Sequence, residues 1–137
     1  MAHAFEDEFG VSPGVLACIA YAAARVALGP CASQVFDHAR NALARVGGTV
    51  SGGRVGLYDY DRGCNFSGTL PELWDDGERV RIVLHVGDDG AVDAVIGGHA
   101  LTGWIDRPTV FLKSNATGAV RRYSVTPWSD PRPDRSP

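Results

Sequence analysis

The sequence contains little lysine, few cysteines and no long apolar run. Of its 13 basic residues only Lys113 is lysine, and the others are arginine. Together with abundant Ala, Gly and Val, this bias indicates the gene of a high-GC bacterium. The longest mostly apolar stretch, Val15 to Leu28, is interrupted by Arg25 and is shorter than the roughly 20 residues that a bilayer-spanning helix needs. We therefore expect a soluble protein without a membrane partner.

The three cysteines lie at irregular spacing, with no CxxC and no Cys/His pattern. A disulfide framework and a zinc site are both unexpected on that basis, and we expect no cofactor. The first nine residues are acidic and lack the basic and apolar regions of a signal peptide. We expect a cytoplasmic protein, or one exported without a cleaved signal peptide.

The formal net charge of -3 is spread along the chain and forms no basic stripe. Nucleic-acid-binding domains usually carry such a stripe, because phosphate contacts supply most of their affinity. The nearest feature is Arg121 and Arg122 together with Lys113. A nucleic-acid partner is therefore not expected. The length of 137 residues suits one domain that buries an ordinary hydrophobic core.

Two consecutive helices are predicted near the N-terminus. The first begins at Ser12–Pro13, where serine caps the free N–H groups and proline suits the first turn, and it ends at Gly29. The second is predicted from about Cys31 to Val46. Its apolar residues form one helical stripe: Val35, Ala39, Ala42, Leu43 and Val46.

After Gly48 the apolar pattern changes to a period of two. Residues 54–60 are predicted as a strand, residues 61–78 as loop with at most one turn, and residues 109–125 as a hairpin turning at 115–118. The clearest hairpin spans residues 79–96. A three-residue turn with Gly90 in the left-handed conformation pairs Val86 with Val92 and puts all the alternating apolar residues on one face.

This order of elements predicts an α+β fold, in which an N-terminal helical hairpin packs on one face of an antiparallel sheet of about four to five strands. We expect a single domain over residues 1–126 and an extended or disordered, proline-rich tail over 127–137. No internal repeat is evident.

One catalytic arrangement is suggested by Cys31, His85 and Asp93. Cys31 follows a proline at the predicted start of a helix, where the dipole stabilises a thiolate. His85 and Asp93 lie opposite each other in the hairpin register given above. A cysteine that opens a helix, with histidine on later strands (His85, or His99 followed by Ala100), resembles the layout of papain-like peptidases of the NlpC/P60 type. The resemblance implies a cysteine hydrolase, although the chain reads Gly-Pro-Cys-Ala-Ser where that family has Asp-Cys-Ser-Gly.

A His-based ribonuclease is a second enzymatic alternative. Such sites gather basic and hydroxyl side chains on one sheet face for acid–base chemistry and phosphate binding. The residues that would supply them are His85, Lys113, Arg121 or Arg122, and Ser124. All of them are also ordinary residues for solvent-facing strand positions.

The segment from Gly97 to Trp104 is predicted as a glycine-flanked loop that presents His99 and Trp104 to a partner. No group of residues in the sequence is sufficient to predict an enzyme. The sequence therefore favours a non-enzymatic protein-interaction module with an unidentified protein partner, and a small hydrolase is the alternative.

Overall fold

The computed structural model of the chain describes residues 10–29 and 32–127. In these residues one helix, α1 (Pro13–Leu28), precedes eleven strands. The strands are β1 (Ala32–Asp37), β2 (Ala42–Ala44), β3 (Val46–Ser51), β4 (Arg54–Asp59), β5 (Cys64–Thr69), β6 (Glu72–Asp75), β7 (Val80–Val86), β8 (Ala91–Ile96), β9 (His99–Asp106), β10 (Thr109–Ser114) and β11 (Val120–Pro127).

All eleven strands belong to one antiparallel sheet in the order β2-β1-β11-β10-β9-β8-β7-β6-β5-β4-β3. From β3 to β11 the strands are neighbours in chain order, and β1 then pairs with β11 through Val35 and Val125. The sheet curls into a nearly closed barrel. The expected α+β fold with a helical hairpin on four to five strands is therefore wrong, since the protein is mainly β-structure with a single helix.

The helix α1 occupies the interior of this barrel. Ten consecutive residues, Val15 to Ala24, are buried, which a helix packed on one sheet face cannot achieve. Five of the ten are alanines, so the helix is thin enough to be surrounded by strands. The expected limits of this helix are confirmed: the Ser12 hydroxyl accepts a hydrogen bond from the Val15 N–H at 3.3 Å, and Gly29 follows the last turn with φ of 83°.

The expected second helix over residues 31–46 is wrong, because this segment forms β1, a turn and β2. Val35 and Asp37 point into the barrel while Phe36 lies on the outer wall, so the side chains alternate with the period of two that is typical of a strand. The apolar residues of the segment also fit a helical spacing, and for that reason the sequence predicted a helix. The Asp37 carboxylate accepts hydrogen bonds from the Ala39 and Arg40 N–H groups, and this turn reverses the chain.

Two segments expected to be loops are strands. Residues 61–78 contain β5 and β6, in which Phe66 and Leu73 are the main inward side chains. Polar and glycine residues around Phe66 weakened the strand signal. The segment carrying His99 and Trp104 is β9, and the turn is confined to Gly97 and Gly98. These segments form strands despite their low strand propensity, because each of them pairs with a strand on both sides.

Both predicted hairpins are confirmed. In the first, Val86 pairs with Val92, Leu84 with Ala94 and Ile82 with Ile96. Gly90 has the predicted left-handed conformation, with φ of 88°. The second hairpin consists of β10 and β11, which turn between Ser114 and Val120. The strand predicted over residues 54–60 is also present, as β4.

A short pattern recurs at one end of the barrel, although no internal repeat was evident from the sequence. An inward apolar residue, an outward aromatic residue and a buried aspartate occur three times, each at the end of a strand. The three triplets are Val35–Asp37, Leu57–Asp59 and Leu73–Asp75. In each turn the aspartate carboxylate accepts backbone N–H hydrogen bonds. We call this end of the barrel, where α1 begins, the aspartate mouth.

Candidate functional site

The residues of the cysteine-hydrolase hypothesis are only partly described. His85 and Asp93 are opposite each other on β7 and β8, as predicted, and both are exposed on the outer wall. Cys31 lies outside the described residues, so the cysteine site stays a prediction. Among the described residues, no group of three or more His, Cys, Asp or Glu side chains is arranged to hold a metal ion.

The two described thiols differ in exposure, since Cys18 is buried and Cys64 is half-buried. Cys18 is fully buried on α1, 3.9 Å from the Asp59 carboxylate and 3.7 Å from the Arg62 guanidinium. Burial, assisted by the negative charge of Asp59, raises the pKa of the Cys18 thiol far above its ordinary value. Burial also raises the pKa of Cys64. Neither environment activates a nucleophile at neutral pH.

The residues of the ribonuclease hypothesis are divided between the two surfaces of the barrel wall. Arg121 points inward and lies 3.3 Å from the Asp37 carboxylate. Lys113, Arg122 and Ser124 are on the outer wall of β10 and β11. The structure brings Arg122 and Ser124 to His38, a residue that the sequence analysis did not single out.

The two residues predicted to bind a partner lie apart on β9. His99 is at the aspartate mouth, where its ring packs directly against Gly10. Trp104 is 43% exposed on the outer wall and stacks on Phe111 of β10. The structure therefore separates them into two surfaces along one strand.

Arg62 organises one side of the aspartate mouth. Its guanidinium donates to Asp59 from Nε and to both oxygens of Asp75, at 2.9 and 2.7 Å. The two carboxylates are 3% and 0% exposed. Although burial alone lowers the Arg62 pKa, the hydrogen bonds to Asp75 and Asp59 outweigh it and raise that pKa above the ordinary value. The cluster is internally paired, with one guanidinium between two buried carboxylates.

Asp37 occupies the corresponding position on the other side of the mouth. It is fully buried between Arg40, whose Nε lies 2.7 Å from Asp37 Oδ2, and Arg121 at 3.3 Å. Tyr123, its register partner on β11, is also buried, and burial raises the pKa of the phenol. Because the mouth carboxylates are buried and paired with arginines, loss of either partner would leave an uncompensated charge inside the barrel.

Among the described strands, the barrel wall is discontinuous at the junction of β2 and β3. These strands are consecutive in the chain, separated only by Arg45, yet β2 pairs with β1 whereas β3 pairs with β4. From Val46 onward the chain diverges from β1. Within the described residues, β3 has a hydrogen-bonded strand on one side only. We call this opening, between β1 and β3, the seam.

The seam is surrounded by exposed apolar side chains. At its closed end lies a cavity of about 260 Å³ lined by Gln34, Leu43, Ala44, Arg45, Val46 and Tyr60. Leu43 is 50% exposed and Tyr60 61% exposed. Towards its open end the last turn of α1 reaches the surface, where Val26 is 39% exposed and Arg25 donates to the Gly48 carbonyl at 3.3 Å.

Some of these features have a signal in the sequence and others do not. The three apolar–aromatic–Asp triplets are visible in the sequence, and Arg40 and Arg62 each follow their aspartate by three residues. That regularity could have identified the turns of the aspartate mouth. The seam has no comparable signal, because it depends on which strand each half of a ten-residue segment pairs with.

Comparison with known proteins adds no identification. No protein-family model matches the chain, and neither the curated proteins nor the solved structures yield a match. Within the described residues, no helix is both long enough and apolar enough to cross a membrane.

Proposed function

We propose that the protein is a non-enzymatic interaction module that binds an extended segment of a partner protein along the free edge of β3. The observation that supports this proposal is that β3 has a strand neighbour on one side only, in a barrel whose other described strands from β4 to β11 have neighbours on both sides. An unpaired strand edge presents a row of backbone N–H and C=O groups, which another extended chain can satisfy.

The composition of β3 supports this use of its edge. Strand edges that are meant to stay unpaired are usually blocked by charged residues, proline or bulges. The six residues of β3, Val46–Ser51, contain no charged residue and no proline. At about 3.4 Å per residue this edge is roughly 20 Å long, and a partner strand that pairs along all of it would replace Arg25 at the Gly48 carbonyl.

The apolar cavity at the closed end of the seam supplies a means of selecting the partner. In strand addition the backbone hydrogen bonds provide affinity, and pockets for alternate side chains provide specificity. The cavity beside Leu43 and Tyr60 has room for one large apolar side chain, with the Arg45–Asp61 ion pair at its rim. We therefore expect a partner segment with a bulky apolar residue near one end of the added strand.

The test uses peptides selected for binding to the whole chain from a random peptide display library. Their affinities are compared between the wild type and Thr49→Lys, which places a charge on the exposed middle of β3. We expect at least tenfold weaker binding to the variant, because a lysine on an edge strand opposes pairing with a further strand. Thr69→Lys, an exposed position on β5 with strands on both sides, is the matched control.

A second measurement separates strand addition from other binding modes. Methylating alternate backbone nitrogens of a selected peptide removes hydrogen-bond donors without changing its side chains, and we expect it to abolish binding. Failure to select any peptide would contradict the proposal, as would selected peptides that bind Thr49→Lys and the methylated forms as well as the originals.

A further inference from the structure

A row of aromatic and cationic side chains crosses the outer wall on the other side of β1. In the strand register Trp104 of β9 is opposite Phe111 of β10, and Phe111 is opposite Arg122 of β11. His38, just after β1, donates its backbone N–H to the Arg122 carbonyl and so continues the row. We call these four residues the aromatic–arginine row. Neighbouring strands are about 4.8 Å apart, so Trp104 and Arg122 are separated by roughly 10 Å.

The aromatic end of the row is a flat platform. The rings of Trp104 and Phe111 are stacked with centroids 4.7 Å apart and an interplanar angle of 9°. The Trp104 side chain is held in place by this contact while remaining 43% exposed. A fixed, half-exposed aromatic ring loses little conformational entropy when a ligand packs on it.

The other end of the row is a set of hydrogen-bond donors. Arg122 Nη2 lies 3.4 Å from His38 Nδ1, and since a guanidinium only donates, Nδ1 is the accepting nitrogen. The proton of His38 is therefore on Nε2, which donates to Ser124 Oγ at 2.7 Å. In this tautomer the Ser124 hydroxyl keeps its own hydrogen, which can be donated to a bound acceptor.

The charges near the row favour an anionic ligand of limited size. Among the described residues neither Arg122 nor Lys113, which is also exposed on β10, forms an ion pair. Two cations and a hydroxyl donor match one or two carboxylates. A nucleic acid needs more phosphate contacts than two cations supply, and the net charge of -3 opposes it further.

We propose that the aromatic–arginine row binds an acidic peptide segment of a partner, with an aromatic side chain packed on Trp104 and a carboxylate held by Arg122 and Ser124. Lys113 lies on the opposite side of Arg122 from Ser124 in the register and is placed for a second carboxylate of the same segment. This surface is separate from the β3 edge, so the two proposals stand or fall independently. A partner that engages both surfaces would contact opposite sides of β1.

The experiment measures binding of two fluorescein-labelled peptides to the full chain by fluorescence anisotropy, at low salt and with added sodium chloride. The probe alternates Asp or Glu with Phe, and its control replaces the acidic residues by lysine. We expect the acidic peptide to bind and Arg122→Gln to weaken it at least tenfold, with a similar loss for Trp104→Ala. Arg81→Gln is the matched control, because Arg81 is an exposed arginine opposite the exposed Trp74, outside the row.

Arg122 is exposed, so its replacement leaves the core intact, and circular dichroism checks that each variant is folded. Binding of the lysine peptide as tightly as the acidic one would overturn the proposal. So would equal losses for Arg122→Gln and Arg81→Gln, or no binding of the acidic peptide at millimolar concentration. An oligouridylate that binds more tightly than the acidic peptide would also overturn it and would identify the row as a nucleic-acid surface.

Discussion

Arg62 is the side chain on which one half of the aspartate mouth depends. It joins two buried carboxylates from the ends of β4 and β6, and these carboxylates also hold the turns that follow those strands. A carboxylate left in this position without a cation would be an uncompensated buried charge. The arginine therefore links the two turns to each other and also balances the charge of the two carboxylates.

We expect Arg62→Met to lower the free energy of unfolding by about 3–5 kcal/mol, because it leaves Asp59 and Asp75 buried without a cation. Arg45→Met is the control. Arg45 pairs with Asp61 on the surface, where its side chain is 72% exposed, and such a pair contributes about 0–1 kcal/mol. Urea unfolding followed by circular dichroism measures both variants.

Similar losses for the two variants would show that the buried cluster is no more important than a surface ion pair. The triple variant Asp59→Asn, Arg62→Met and Asp75→Asn removes all three charges together. It should be more stable than Arg62→Met alone, because no uncompensated charge remains buried.

At the scale of elements, the buried part of α1 is surrounded by strands, while its last turn reaches the surface at the seam. The helix contacts β1, β3, β4, β7, β10 and β11. Alanines at five of the ten buried positions set the distance between the helix and the wall. Close-packed interiors of this kind tolerate added volume poorly.

We expect Ala20→Leu to reduce the free energy of unfolding by about 1–3 kcal/mol, because Ala20 is fully buried inside the barrel and the added carbons have no space. Ala27→Leu makes the same change at an exposed position of the same helix and should have little effect. Thermal unfolding compares the two. If Ala20→Leu were as stable as Ala27→Leu, the helix would not be tightly enclosed.

Local signals allowed some of these elements to be predicted from the sequence. The start of α1 follows from Ser12 and Pro13, and the register of β7 and β8 follows from strict alternation around Gly90. The segment from 32 to 44 could not be assigned in the same way. Its apolar residues fit a helix as well as two short strands, and the choice depends on pairing with β11 at the far end of the chain.

The candidate surfaces were harder to predict than the elements. Trp104 was identified from its residue type, but its neighbours Phe111, Arg122 and His38 come from three other parts of the chain and meet only through the sheet register. Arg121 and Arg122 are adjacent in the sequence, yet one points into the barrel and the other outward. Which of these two side chains points inward depends on the alternation of inward and outward positions along β11, and the sequence of β11 alone does not determine it.

At the scale of the whole molecule, the described strands form a ring that is joined by hydrogen bonds from β1 round to β3 and is open at the seam. Amide hydrogens in β9 lie between two paired neighbours, β8 and β10. In β3 only the groups directed at β4 have a strand partner among the described residues. Stability against local opening should therefore differ around the barrel.

We expect hydrogen exchange measured by NMR to show slow exchange at consecutive amides of β9 and at only alternate amides of β3, because amides that face the seam are not paired. The β8 amides provide an internal reference for a strand in the closed part of the wall. Protection of every β3 amide to the level of β9 would contradict an open seam. Addition of a peptide that pairs with the β3 edge should then selectively slow hydrogen exchange at the fast-exchanging amides of β3.

The position of α1 inside the barrel also has a consequence for synthesis of the protein. Among the described elements the helix precedes every strand in the chain, but contacts that enclose it come from β10 and β11, the last two of those strands. Until β10 and β11 have been synthesised, the apolar sides of the helix are not fully enclosed. The pairing of Val35 in β1 with Val125 in β11 also cannot form before that point. Folding that depends on contacts between residues far apart in the sequence is slow, and the incompletely folded chain exposes apolar surface during that time. The nascent protein is therefore expected to depend on a chaperone until β11 has been synthesised.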